Sequence, residues 1–124
     1  SYVRDFTNAG FKVLDAGAAH DATELLNEHV DVIISDWQVP LREGDNKIKT
    51  AAPFIAEARK QKPNVPVLIV SGRAPSDIEK GLRNQNIDPN DVKVLTKALD
   101  VTSSQDAIKY AEAALSPSQG QGLG

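Results

Sequence analysis

Asp36, Ser71 and Lys97 each stand at the end of a short apolar run, and as a set they suit chemistry on an anionic group. The runs are Val32-Ile33-Ile34-Ser35, Val67-Leu68-Ile69-Val70 and Val92-Lys93-Val94-Leu95. An ammonium offsets negative charge, a hydroxyl donates a hydrogen bond, and a carboxylate can attack phosphorus to give an aspartyl phosphate. The same residues also suit a structural arrangement, in which Asp36 and Lys97 form an ion pair and Ser71 caps a turn. Taken alone, Asp36 can be a salt-bridge partner, a metal ligand or a nucleophile. Spacing by itself leaves these readings open.

Either arrangement requires the three runs to be strands of one parallel sheet with their carboxyl ends together. The signals along the chain support this. Tyr2 to Asn8 reads as the last two turns of a helix with Gly10 just past its end. Phe11-Lys12-Val13-Leu14 reads as a first short strand after the turn signal Asn8-Ala9-Gly10. Asp21-Ala22-Thr23-Glu24 and Ser76-Asp77-Ile78-Glu79 both have capping-box spacing, each opening a helix. Pro53 fits a first-turn position, predicting a helix over 53–61 with Asp45 to Thr50 as an extended loop before it. Ser103 or Ser104 caps a last helix whose buried side is Ile108, Ala111 and Leu115. Residues 1–115 read as one domain and 116–124 as a flexible polar tail. Strands alternating with helices predict an α/β fold, a parallel sheet covered on both faces.

The totals exclude several classes. The 124 residues allow one core, and 40% hydrophobic with 25% charged residues is globular composition. A net charge of -3 argues against direct nucleic-acid or membrane-surface binding. Without cysteine there is neither a disulfide frame nor a thiolate metal site, which fits a cytoplasmic chain. No run is long enough to span a bilayer. Starting at Ser1, the chain reads as a piece of a longer polypeptide or a trimmed one. His20 and His29 read as helix-end residues, since neither shows a paired ligand spacing. Trp37 reads as a partly exposed packing residue, and Lys47, Lys49, Arg59, Lys60 and Lys62 as solvated surface.

Four segments, in order, carry a family resemblance: Asn8 to Val13, Asp36-Trp37-Gln38-Val39-Pro40 with Gly44, Val67 to Gly72, and Val94-Leu95-Thr96-Lys97. Together they resemble the response-regulator receiver domains over about Tyr2 to Leu115. The resemblance implies a flavodoxin-like sheet with strand order 2-1-3-4-5. It implies that Asp36 accepts phosphate from a histidine kinase or histidine phosphotransfer protein. Lys97 would then stabilise the phosphoryl charge, and Ser71 would move toward it and pass the change to a downstream protein effector. It also implies Mg²⁺, with Asp36 and the Gln38 carbonyl among its ligands, and places Gln38 and Arg73 at positions that tune phosphoryl loss. Such a domain is not an enzyme beyond its own phosphorylation and dephosphorylation.

The chain departs from that pattern at its start, where the family's first strand and its two adjacent acids have no counterpart. That absence predicts a gap between the strands at Phe11 and Val32. The strand would lie in sequence outside these residues, or come from another chain (a homodimer by strand exchange being one form), or the sheet would close up. Asp15 is expected to be a solvated strand-end residue; only a closed sheet would bring it to Asp36. A single carboxylate is a sparse cage for Mg²⁺. Ala98 stands in place of the usual proline, and Val94 in place of a switching aromatic. Two other readings remain: a pseudo-receiver binding protein without phosphorylation, and a flavodoxin-like nucleotide or flavin binder, which lacks a glycine-rich phosphate loop.

Overall fold

The computed structural model describes residues 2–97 and 104–115, so the tail at 116–124, Ala98 and Ser103 lie outside the described residues. Helices are α1 (Tyr2–Asn8), α2 (Ala19–Leu25), α3 (Ala52–Gln61), α4 (Pro75–Asn84) and α5 (Ser104–Leu115). Strands are β1 (Ile33–Asp36), β2 (Gln38–Pro40), β3 (Ile48–Thr50), β4 (Val67–Ser71) and β5 (Lys93–Thr96). A parallel sheet runs β1-β4-β5, and β2 and β3 form a separate antiparallel hairpin. The fold is α/β, a central parallel sheet flanked by helices, as the alternating signals predict.

β4 is central because every residue in it is buried and its two faces are both apolar. Val67 and Ile69 join Ile55, Ile78 and Leu82 in one core cluster, to which α2, α3 and α4 contribute. Leu68 and Val70 point the other way, against Phe6, Ala107, Ile108 and Ala111 of α1 and α5. The period of two along the strand thus divides the helices between two layers. A fully buried Ile or Leu contributes about 1.5–3 kcal/mol, so β4 anchors both cores. α1 stops where Gly10 takes φ +99°, and the Phe11 N–H returns to the Phe6 carbonyl at 3.0 Å, a Schellman-type end.

Several expectations fail, each for a physical reason. Neither capping box forms: α2 starts earlier, at Ala19, and Ser76 lies inside a helix that begins at Pro75. Pro75 in the first turn, not a side-chain cap, marks the start of α4, and α2 begins after Ala18 with no side-chain cap. Residues 48–50 are not loop but strand, because the chain folds back and pairs them with Gln38–Pro40. Trp37 is buried, at 3% exposure, rather than partly exposed. Its indole lies against Gly81 of α4, where an added Cβ would come within 2.5 Å of the ring. Arg59 is not surface: its guanidinium donates to the carbonyls of Val65 (2.6 Å) and Asp91 (2.7 Å), clamping α3 to the loop before β5. Leu115, expected to be buried, is 37% exposed.

Phe11 to Leu14 forms no strand. Phe11 and Val13 pack on the α1/α5 core while Lys12 and Leu14 face out, so the alternation is strand-like. No ladder forms because no neighbouring strand reaches it. The other edge of β1 likewise pairs with no strand among the described residues. The sheet has therefore not closed up. A groove of about 790 Å³ separates β1 from segment 11–16 and continues to Asp36 and Lys97.

Candidate functional site

The sheet register brings three of the predicted residues to one edge. Asp36, the last residue of β1, lies opposite Val70, and Ser71, the last of β4, lies opposite Thr96 of β5. Lys97 follows directly, its backbone N–H donating to the Ser71 carbonyl at 2.6 Å. Its side chain returns across the end of β4, and Lys97 Nζ donates to Asp36 Oδ1 at 3.0 Å. Both side chains are about half exposed, at 49% and 58%, so the pair adds little to stability, on the order of 0–1 kcal/mol. The arrangement is thus accessible to an anion from solvent.

Ser71 is buried, at 4% exposure. Its Oγ accepts the Arg73 N–H at 2.9 Å and so caps the turn into α4. The hydroxyl proton is not used by that bond and is available to a further acceptor. The ion pair and the turn cap of the structural arrangement are therefore both present, at the same end of the sheet. Gln38 is exposed on β2. The Trp37 carbonyl accepts the Ala51 N–H at 2.7 Å, which makes Trp37 and Ala51 the bonded pair of the hairpin ladder. By the alternation of antiparallel ladders, Gln38 opposite Thr50 is then a non-bonded pair with its carbonyl left outside the hairpin. Arg73 is exposed on the loop after β4.

Tyr2 was not singled out by sequence. It lines the groove, and its hydroxyl is buried with no hydrogen-bond partner among the described residues. Burial raises its pKa above the usual tyrosine value, while Lys97 acts to lower it and Asp36 to raise it. That coupling places the phenol within the field of the ion pair. No local pattern could have announced it, since it rests on α1 packing beside the end of β1.

The donor set around Asp36 does not fit a divalent cation well. Mg²⁺ takes six oxygens, and Asp36 with the Gln38 carbonyl supplies two. Asp15 is exposed and lines the same groove as Asp36, as a solvated residue. Among the described residues, the group whose ligand atoms all lie within 4.8 Å of one another is instead His20, Asp21 and Glu24 on α2. This corrects the expectation that His20 lacks a ligand-spaced neighbour; His20 and Glu24 are one helical turn apart, and that i, i+4 spacing was the signal. Such a cluster can in principle chelate a metal ion. His29 pairs with Asp31 at 2.8 Å in the loop before β1.

No family model matches the chain, and no curated protein matches it. Among solved structures it is similar to a response regulator receiver protein from Sinorhizobium medicae WSM419. The identity is 20%, the TM-score is 0.69, and the match covers 91% of this chain and 81% of that one. At this identity the likeness establishes the fold. Among the described residues, no helix is long and apolar enough to cross a membrane.

Proposed function

We propose that residues 1–115 form a phosphoacceptor receiver domain of a two-component signalling system, with 116–124 as a polar tail. The observation that carries this reading is the 3.0 Å contact of Lys97 Nζ with Asp36 Oδ1, across the end of a strand that terminates in Ser71. An Asp36 oxygen attacks the phosphorus of a phosphohistidine in line, an O–P bond forms and the N–P bond breaks, and the imidazole leaves with the electron pair. Lys97 offsets the charge on the phosphoryl oxygens, and the Ser71 hydroxyl donates to one of them. The donor is a histidine kinase or histidine phosphotransfer protein in the cytoplasm. The output is a shift between two conformations read by a protein effector, not a released product. No step is assigned to Mg²⁺, because Asp36 and Gln38 do not complete its shell.

The test is direct. Incubation with a phosphohistidine donor or a small acyl phosphate is expected to give an acid-stable, base-labile phosphoprotein by intact mass. Asp36→Asn abolishes it, and Lys97→Ala slows it on the order of a hundredfold. In amide NMR, beryllofluoride with Mg²⁺ is expected to shift Trp37, Ser71 and Lys97, and to shift nothing in Asp36→Ala. Absence of both responses sinks the proposal. A second reading is a pseudo-receiver that binds protein without phosphorylation; it is favoured by the lack, among the described residues, of any group of three or more potential metal ligands that includes Asp36. It predicts a partner affinity unchanged by Asp36→Asn.

A further inference from the structure

Trp37 is the single residue between the end of β1 and the start of β2, one peptide bond from Asp36. Its backbone is held, because its carbonyl accepts the Ala51 N–H at 2.7 Å at the start of α3. Its indole reaches α4, where Cζ2 and Cη2 stand 2.5 and 2.9 Å from the position a Cβ on Gly81 would take. Only glycine permits that approach. Gly81 falls on the helix face marked by Ile78 and Leu82, the buried residues of this ten-residue helix. α4 therefore rests on few core side chains, and the indole is a large part of what they rest against. A second tie joins α4 to the same end of the sheet. Ser71 ends β4, and its Oγ accepts the Arg73 N–H in the turn that leads into Pro75. At a rise of about 1.5 Å per residue, Pro75 and Gly81 lie about 9 Å apart along the helix. One tie leads to the end of β4 and the other to the end of β1, side by side in the sheet with Asp36 opposite Val70.

We propose that Trp37 is a coupling residue, which carries a change at Asp36 to the middle of α4 through its contact with Gly81. The proposal rests on the phosphoacceptor reading and adds to it a route by which the state of Asp36 sets the position of a helix. A phosphoryl group on Asp36 adds negative charge, and Lys97 and the Ser71 hydroxyl turn to it, so the ends of β1 and β4 are drawn to a new relative position. An interior packed to crystal-like density passes such a change to its neighbours rather than absorbing it. With its carbonyl held by Ala51, Trp37 follows Asp36 by turning its ring, and Gly81 stands directly in the path of the ring's tip. α4 is the element that yields. The three strands are locked in their ladder, and α3 is seated by Ala52, Phe54, Ile55 and Ala58, whereas α4 is seated by Ile78 and Leu82. Such coupling is reciprocal, so a contact that fixes α4 also changes how tightly the site holds a phosphoryl mimic.

The experiment is an NMR titration of the whole chain with beryllofluoride and Mg²⁺, in the wild type and two variants. In the wild type, shifts at Asp36, Ser71 and Lys97 are expected to be joined by shifts of the Trp37 indole N–H and the Gly81 and Leu82 amides, all with one midpoint. Trp37→Phe keeps a ring in the core but lacks the part of the indole that reaches Gly81. It is expected to retain the shifts at the site and to lose about half or more of those at Gly81 and Leu82. Ser71→Ala is expected to lose the Arg73 shift and to keep most of the Gly81 shift, because the Trp37 tie is intact. The coupling is overturned if the site amides shift while the indole N–H and Gly81 stay still, an outcome that leaves the receiver reading standing. It is also overturned if Trp37→Phe keeps the full α4 response, or if Ser71→Ala abolishes that response. Silence at Asp36, Ser71 and Lys97 themselves sinks the receiver reading and the coupling together. Where Trp37→Phe does not fold, the wild-type and Ser71→Ala titrations decide.

Discussion

At the scale of single residues, the site is built from side chains with ordinary environments placed by unusual neighbours. Asp36 and Lys97 are half exposed and paired at 3.0 Å, so their value lies in geometry rather than stability. Trp37, the next residue after Asp36, turns the opposite way into the core and rests on Gly81. Glycine at 81 costs helix stability, about 1 kcal/mol relative to alanine, and the indole explains why it stands there. Gly81→Ala is therefore expected to destabilise the fold, the overpacking of about 1–3 kcal/mol outweighing the gain in helix propensity. Urea unfolding gives the stability, and a shift in Trp37 emission reports the displaced ring. A stabilised variant with unchanged emission would contradict the contact.

At the scale of elements, α1 and α5 are held together by a polar contact as well as by their shared core. Ser104 at the start of α5 donates its hydroxyl to Asp5 of α1. This hydrogen bond is the main reason the Asp5 carboxyl titrates below its ordinary range, with Arg4 assisting and partial desolvation opposing. A lowered folded pKa means that Asp5 contributes stability above its unfolded pKa and loses it as the pH falls through the folded value. Ser104→Ala is expected to raise the Asp5 pKa, followed by carboxyl NMR titration. It should also flatten the acid limb of the stability profile, leaving stability near neutral pH reduced. An unmoved Asp5 titration would show that the contact does not persist in solution.

At the scale of the whole molecule, the three-stranded sheet is asymmetric: β4 is buried throughout, whereas β1 grades from buried Ile33 to exposed Asp36 along the groove. Ile69→Ala is expected to cost about 2–5 kcal/mol, and Ile34→Ala, half-buried beside the groove, less than about 2 kcal/mol, by denaturant unfolding. Equal costs would mean that the groove is filled or collapsed in solution. The sequence by itself determined the alternation of elements, the apolar β4 with its period of two, and the strand-end positions of Asp36, Ser71 and Lys97. Those features are local, set by runs of residues that must be buried and by residues that cannot be. The resemblance to receivers also foretold a gap beside β1, though not whether the sheet would close over it. Only the tertiary structure decided that Phe11 to Leu14 forms no ladder, that Trp37 is buried, that Gln38 to Pro40 pairs with Ile48 to Thr50, and that the groove stays open. Each of these depends on what lies across space from a segment, since a strand is a strand only when another backbone reaches its edge.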